Sequence, residues 1–407
     1  MNWGRGLLGR DYWFYGIVLF ACVVRVGRIG DFDNPYYTAT VVSMLESWSN
    51  FFYASFDPLG IVTVDKPPLA FWVQSIPASI FGVHPISVAI PQFLSGMAVI
   101  ILVYYYLKPT YGVGAARSAC AVLAVLPASV VIDTRNEPDG LMIFLCLLAV
   151  GCAIRAANSR RMLWFVLAGL SVGLAFNAKM LIALLILPPI IMYWLLSMDV
   201  TAKRFLLSIG IFLVTAFVVS SLWVVSIGLT PQDNRPYIGS TPDDSIWTLV
   251  IQYNGLDRFT SFRPAINPNP LAFAGQQPAN TQQNPILQSF NSKGLPSSPQ
   301  IPRGQQDQTN PQVDQAMSPS NVFIQPVGVR GVQQIWDLLR KDMAAQLGWL
   351  LPLGVGAAII ASAQVLTPEI YQSPKSFLRY CRSSREAPMT LFWVCWLATG
   401  TFVLGIA

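Results

Sequence analysis

The sequence predicts an all-α protein that crosses a membrane many times, and two observations carry this prediction. Charged residues make up 11% of the 407-residue chain, against roughly a quarter in soluble domains, and the mean hydropathy is +0.49. Apolar runs recur along the whole chain, at 12–26, 88–107, 119–132, 141–157, 163–176, 181–196, 205–227, 347–365 and 390–407. Several approach the roughly 20 residues that span a bilayer, so we expect a bundle of about nine transmembrane helices.

The distribution of Lys and Arg predicts how these helices are oriented. Arg5 and Arg10 precede the first run, which places the N-terminus in the cytoplasm by the positive-inside rule. With Arg5 and Arg10, the loops that fall on the same side hold half of the 26 basic residues: Lys108, Arg117, Arg155, Arg160, Arg161, Lys203, Arg204, Lys375, Arg379, Arg382 and Arg385. The net charge of +6 is therefore positive-inside bias, and it gives no reason to expect a nucleic-acid partner.

This orientation requires segment 67–82 to be a helix at the outer membrane surface, with Trp72 and Phe81 as interfacial anchors. The alternative makes 67–82 a full span and places the basic loop 108–117 outside. In the first arrangement the outer side carries most of the acidic residues: Asp31, Asp33, Asp57, Asp65, Asp133, Glu137, Asp139, Asp243 and Asp244. The active site of a membrane enzyme with this pattern is expected on the outer face.

Composition divides the chain into four parts. Residues 1–228 form the transmembrane core with a first outer loop at 28–87, and residues 229–263 mix aromatic, glycine and charged residues as ordered loops do. Residues 264–326 are rich in Gln, Asn, Pro and Ser, so they bury too little apolar surface to fold and we expect disorder. Residues 327–407 contain the final helices.

Two carboxylates are candidates for proton transfer. Asp33 follows the first helix, and Asp139 stands at the outer start of a later span. Each has an ordinary explanation, since Asp33 can be a solvated loop residue and Asp139 can stabilise a helix N-terminus through the dipole. If the two meet at the same depth, however, they can act as a base and its orienting partner in one cavity.

Cations expected at the same membrane depth as these two carboxylates are candidates for binding a phosphate. Lys66 precedes two prolines, and a rigid turn of that kind would hold its ammonium at the headgroup plane, although an interfacial lysine can also simply snorkel. Arg135 and Lys179 add positive charge at the same level. Arg258 lies in the later outer loop and is a weaker candidate for contacting substrate.

The order of these motifs resembles a known enzyme class. The motifs are Asp33 followed by Tyr37, then Asp65-Lys66-Pro67-Pro68, Phe81-Gly82, Arg135-Asn136-Glu137-Pro138-Asp139, and Gly173 to Lys179. Together they resemble the membrane glycosyltransferases of the GT-C class, of the family 39/83 type that includes aminoarabinose transferases and protein mannosyltransferases, and within these the YkcB-like branch. The resemblance covers roughly residues 10–260 and resumes at Gly348.

The resemblance implies transfer of a sugar from a polyprenyl-phosphate donor to a cell-envelope acceptor at the outer face of the cytoplasmic membrane, by an inverting single displacement. It implies that Asp33 is the catalytic base, that Lys66 binds the carrier phosphate, that Tyr37 contacts substrate and that Asp65 binds a divalent metal. Asn34 stands where such enzymes often have a second glutamate. The chain ends within an apolar run, so we expect it to be truncated relative to this family.

Two other functions remain open from the sequence. An inactive or truncated protein descended from such an enzyme would keep the fold without the chemistry. A lipid or solute transporter would place charges in the middle of broken helices, whereas here the candidate charges lie at helix ends.

Overall fold

The computed structural model describes residues 11–31, 33–255, 363 and 374–406, with side chains as far as residue 399. These residues are largely helical, and the only β-type pairings within them are isolated bridges from Ser55 to Thr63 and from Val62 to Tyr237. The predicted all-α class is therefore confirmed for this part of the chain. Arg258, segment 264–326 and the apolar run 347–365 lie outside the described residues.

The helices follow the apolar runs of the sequence. The α-helices are α1 Tyr12–Val26, α2 Pro35–Met44, α3 Trp48–Tyr53, α4 Leu69–Phe81, α5 Pro85–Val125, α6 Pro127–Thr134, α7 Asp139–Ser159, α8 Met162–Lys179, α9 Leu187–Ser197, α10 Ala202–Leu229, α11 Pro374–Ser383 and α12 Glu386–Ile406. Short 3₁₀ helices occupy Met180–Ile186 and Gln232–Asn234, and a π-helix occupies Thr248–Tyr253.

Four of the described helical stretches are long and apolar enough to cross a membrane: Pro85–Val125, Asp139–Ser159, Met162–Ser197 and Ala202–Leu229. Two shorter apolar helices, α1 and α4, accompany them. At 13 residues α4 is about 20 Å long, against roughly 30 Å for the hydrocarbon core. Its length therefore agrees with the prediction that 67–82 is not a full span.

Two of the four long stretches double back on themselves. In α5 the helix breaks at Gly112, which has φ 83°, and the Cys120 thiol beyond the break donates to the carbonyl of Ile100 at 3.3 Å. The second reversal is at Met180, with φ 54°, after which Trp194 returns to within 4.7 Å of the Phe165 ring centroid. The chain therefore reverses its direction directly after Lys179. The total of nine spans includes 347–365 and stays a prediction.

Small residues allow the central helices to pack closely, as is usual in membrane bundles. A Cβ atom on Gly169 would lie 2.5 Å from the Phe212 carbonyl oxygen, and one on Gly173 would lie 2.5 Å from Val219 Cβ. The opposite face of α10 is apolar and exposed, with Phe217 at 72% and Leu222 at 62%. A face of that kind suits contact with lipid.

The described bundle has two distinct ends. One end, the basic end, holds the Asp11–Arg117 and Asp199–Arg382 ion pairs at 2.6 and 2.8 Å. The other, the loop end, brings the first loop against the segment after α6: the Gly30 N–H donates to the Thr134 carbonyl at 3.2 Å. The orientation argument required these two segments to share a side of the membrane, and they do share an end of the bundle.

Asp133, predicted with the acidic residues of the outer side, is instead buried in the bundle together with Arg25. Arg25 Nε donates to Asp133 at 2.7 Å, and its other nitrogens donate to the carbonyls of Leu123 and Ala124 at 3.1 and 3.2 Å. Pro127 begins the next helix and has no N–H, so it leaves the Leu123 carbonyl without its helical donor. The guanidinium fills this gap, which explains a charge at this depth.

Candidate active site

The start of α2 fixes the first candidate carboxylate. Asn34 caps the helix by accepting a hydrogen bond from the Tyr36 N–H at 3.2 Å, and Pro35 follows at the first helical position. This geometry turns the chain so that Asp33, just before the cap, accepts a hydrogen bond from the Thr38 hydroxyl at 2.7 Å. Asp33 is partly exposed, and it forms no ion pair with any described residue.

Asn136 is the hub that joins this helix start to the segment after α6. Its Nδ2 donates to the Asn34 carbonyl at 3.1 Å and to the Thr38 hydroxyl at 2.9 Å, while its Oδ1 accepts from the Asn34 N–H at 2.8 Å. Asn136 is 1% exposed. Asn136 is not among the site residues predicted from the sequence. Those predicted from the Arg-Asn-Glu-Pro-Asp motif are charged, and the Asn136 side chain is an uncharged amide.

Glu137 occupies the place beside Asn34. The Asn34 Nδ2 donates to Glu137 Oε1 at 3.0 Å, and Arg135 Nη2 lies 3.4 Å from the same oxygen. A glutamate at position 34, which the resemblance leads one to expect, would put two carboxylates in contact. In this chain the neutral amide holds the Glu137 carboxylate in place, and Arg135 is paired with it.

Asp139 and Lys179, predicted as a base and a phosphate ligand, form an ion pair with each other. Asp139 opens α7, where a carboxylate is favoured, and Lys179 closes α8, where a cation is favoured. Both side chains remain partly exposed, at 24% and 17%. The pair therefore lies at the surface of the loop end, with its charges largely balanced.

Lys66 is not the exposed interfacial cation that the sequence suggests. Its side chain is 7% exposed, and its ammonium lies 2.6 Å from Asp65 Oδ2. Pro67 and Pro68 then lead directly into α4, so the Asp-Lys pair is held at a helix start. The other oxygen of Asp65, Oδ1, is buried and has no hydrogen-bond partner among the described residues.

Tyr37 lies between these groups. Its ring packs against Phe71 with centroids 5.1 Å apart. Burial raises the pKa of its hydroxyl, and the nearby carboxylates of Asp65, Glu137 and Asp139 raise it further. Three acidic residues from two distant segments are thus within electrostatic range of one phenol, which keeps its proton and can donate a hydrogen bond.

A divalent metal on Asp65, which the resemblance implies, does not fit the described residues. Within them, no three His, Cys, Asp or Glu side chains come close enough together to hold an ion. Lys66 also occupies one oxygen of the Asp65 carboxylate. We therefore derive no chemistry through a metal.

Comparison with known proteins agrees with the resemblance to membrane glycosyltransferases. A family model described as "Dolichyl-phosphate-mannose-protein mannosyltransferase" matches residues 65–225. The Bacillus subtilis (strain 168) protein "Putative mannosyltransferase YkcB" is 34% identical over 421 residues, covering 94% of this chain and 56% of YkcB. "Putative mannosyltransferase YycA" from the same organism is 39% identical over 280 residues, covering 68% of this chain and 41% of YycA.

The chain spans about half the length of these curated relatives. A solved structure, the Archaeoglobus fulgidus oligosaccharyltransferase, aligns with a TM-score of 0.46 and 14% identity, over 97% of this chain and 48% of that one. That similarity is too weak to bear on fold or activity. The family model and the two Bacillus relatives support a membrane glycosyltransferase of the GT-C type.

Proposed function

We propose that the chain transfers a sugar from a polyprenyl-phosphate donor to a cell-envelope acceptor, at the outer face of the cytoplasmic membrane. The observation that carries this proposal is the convergence at the loop end. There, Asp33, the Asp65–Lys66 pair, Asp139 and Lys179 come from four separate parts of the chain. Asp33 is linked to Asn136 through the Thr38 hydroxyl, and the carboxylates of Asp65 and Asp139 lie near Tyr37. The names of the relatives, which describe mannosyltransferases, favour a hexose as the sugar.

The two candidate carboxylates differ in their surroundings, and this difference suggests different roles. Asp139 is paired with Lys179, so its carboxylate is already engaged and its main effect is to orient that cation. Asp33 has a hydroxyl donor from Thr38 and no ion-pair partner among the described residues. We assign Asp33 as the general base and Asp139 as the partner that positions Lys179.

Bond changes in the proposed reaction follow a single inverting displacement. The acceptor oxygen bonds to the anomeric carbon as the carbon–oxygen bond to the carrier phosphate breaks, and the acceptor proton passes to Asp33. Polyprenyl phosphate leaves as an anion. Lys66, Lys179 and Arg135 would stabilise the charge that develops on it, since fixed cations are most effective where charge appears in the transition state.

The basic end of the bundle supports the proposed orientation. Arg117, Arg160, Arg204 and Arg382 lie there, whereas most of the described acidic residues lie in the segments of the loop end. By the positive-inside rule the basic end faces the cytoplasm. The loop end then faces outward, where lipid-linked sugars meet envelope acceptors.

The test is a transfer assay on the chain in membranes, with radiolabelled polyprenyl-phosphate mannose and a cell-envelope fraction. Both incorporation of label and release of polyprenyl phosphate are measured. Asp33→Asn should lower the rate by about 10²–10⁴-fold, the usual contribution of a general base. Lys203→Gln, at the first turn of α10 on the basic end, is the matched control and should keep the wild-type rate.

Three outcomes decide the assignment. Loss of transfer in Asp33→Asn alone supports the proposal. A wild-type rate in Asp33→Asn removes Asp33 as the base. Absence of donor turnover by the unaltered chain, with any polyprenyl-phosphate hexose and with correct membrane insertion, contradicts the proposed reaction.

A further inference from the structure

Tyr253, the last residue of the π-helix, and Asn254, the residue after it, contact the Asp65–Lys66 pair although 188 positions separate Asn254 from Lys66. Asn254 is 5% exposed. Its Oδ1 accepts a hydrogen bond from the Lys66 ammonium at 3.2 Å, and its Nδ2 donates to the Asp65 carbonyl at 3.2 Å and to the Leu249 carbonyl at 3.0 Å. Two carbonyl acceptors on the amide nitrogen fix the orientation that leaves the oxygen facing Lys66.

Tyr253 contacts both members of the same pair. Its hydroxyl donates to Asp65 Oδ2 at 3.2 Å. The Lys66 ammonium also lies 5.3 Å from the centroid of its ring, within the range of a cation–π contact. The ammonium is therefore surrounded by a carboxylate oxygen, an amide oxygen and an aromatic face.

The same loop also holds the residues just before Asp65. The Thr63 N–H donates to the Tyr237 carbonyl at 2.9 Å, and the Gly239 N–H donates to the Thr63 hydroxyl at 3.0 Å. A Cβ on Gly239 would lie 2.1 Å from the Thr63 carbonyl oxygen, so the two backbones approach closely. The segment 237–254 therefore contacts the chain both just before Asp65, at Thr63, and at the Asp65–Lys66 pair itself.

We propose that Asn254 and Tyr253 are positioning residues that hold the Lys66 ammonium for an anionic lipid phosphate. This inference rests on the proposed function and adds to it the residues that make Lys66 a fixed cation. A lysine has a flexible four-carbon stem, and the amide and ring restrict it without cancelling its charge. Asp65 Oδ2 accepts hydrogen bonds from both the Lys66 ammonium and the Tyr253 hydroxyl, so all three groups are held together.

The experiment measures binding of fluorescent polyprenyl monophosphate, and of neutral polyprenol of equal length, to the chain in nanodiscs. Asn254→Ala should weaken monophosphate binding by about tenfold, the change expected for one hydrogen bond to a charged group, and leave polyprenol binding unchanged. Tyr253→Phe, which removes a single hydroxyl and keeps the ring, should weaken it by a few fold. Thr248→Ala lies in the same π-helix, where its hydroxyl donates to Asp243, and is the control.

A purely structural role would reduce binding of both lipids equally, and that result would overturn the inference. Lys66→Met separates the two proposals. If Lys66→Met weakens monophosphate binding while Asn254→Ala and Tyr253→Phe bind as tightly as the unaltered chain, the positioning role is wrong and the proposed function stands. If Lys66→Met binds monophosphate normally, the proposed phosphate site itself is wrong.

Discussion

Replacing Arg25 by Met should be among the most destabilising single substitutions in the described bundle. The Arg25 side chain is 0% exposed and that of Asp133 is 7% exposed, with 2.7 Å between Nε and Oδ2. Removal of the guanidinium leaves a buried carboxylate without its cation, and it also leaves the carbonyls of Leu123 and Ala124 without donors. The carboxylate and the Ala124 carbonyl are buried, so water cannot readily replace the lost donors.

The expected cost can be estimated from these contacts. Breaking one partner of a buried ion pair typically costs about 3–5 kcal/mol, because the remaining charge is uncompensated. Asp133→Asn should cost less, since its amide oxygen can still accept from Arg25. The double variant Arg25→Met/Asp133→Asn carries no buried charge, and it should therefore be more stable than Arg25→Met alone, with the remaining loss coming mainly from the two carbonyls.

The assay is equilibrium unfolding in mixed micelles of increasing SDS fraction, followed by far-UV circular dichroism. The four proteins form a double-mutant cycle that isolates the pairwise term. The reasoning would be refuted if Arg25→Met cost less than about 1 kcal/mol, against the buried-pair range, or if the double variant were less stable than Arg25→Met.

Three further predictions test other parts of the fold. Gly173→Ala should lower the unfolding midpoint, because its Cβ would lie 2.5 Å from a neighbouring side chain, whereas Gly210→Ala has open space and should not. Lys66→Met should be destabilising and Asp65→Asn/Lys66→Met less so, since the double variant leaves no unpaired buried charge. The pKa of Asp11 is lowered to about 2, mainly by its hydrogen bond to Arg117. The ionised carboxylate therefore stabilises the fold fully above the ordinary pKa of 3.8, and this stabilisation is lost as the pH falls toward 2. The difference in unfolding midpoint between the unaltered chain and Asp11→Asn should shrink over that pH range.

The arrangement of segments was predictable because it depends on long-range patterns that a sequence displays directly. Apolar runs predict the helices, and the alternation of basic loops predicts which connections share an end. The contacts between Gly30 and Thr134, and between Asn34 and Asn136, agree with that reasoning. The 13-residue length of α4 agrees with the prediction that 67–82 lies at the membrane surface and is not a full span, on which the orientation of the later helices depends.

The pairing of charges was not predictable, because it depends on side-chain distances across the folded chain. Sequence reasoning treats Asp139 and Lys179 as independent candidates and Lys66 as an exposed cation, yet each cation has an acidic partner in the structure. The role of Asn254 was hidden for the same reason, since 188 positions separate it from Lys66. Its Tyr-Asn-Gly motif was the available signal, although the motif alone does not indicate a partner.

The most direct test of the central claim is to locate the carrier phosphate on the folded chain. A polyprenyl monophosphate with a photoreactive group beside the phosphate would be crosslinked to the chain in nanodiscs, and the modified peptides identified by mass spectrometry. The account predicts modification of residues 33–38, 65–68, 135–139 and 253–254, reduced in Lys66→Met. Modification concentrated at the basic end, in residues 108–117 or 198–204, would contradict it.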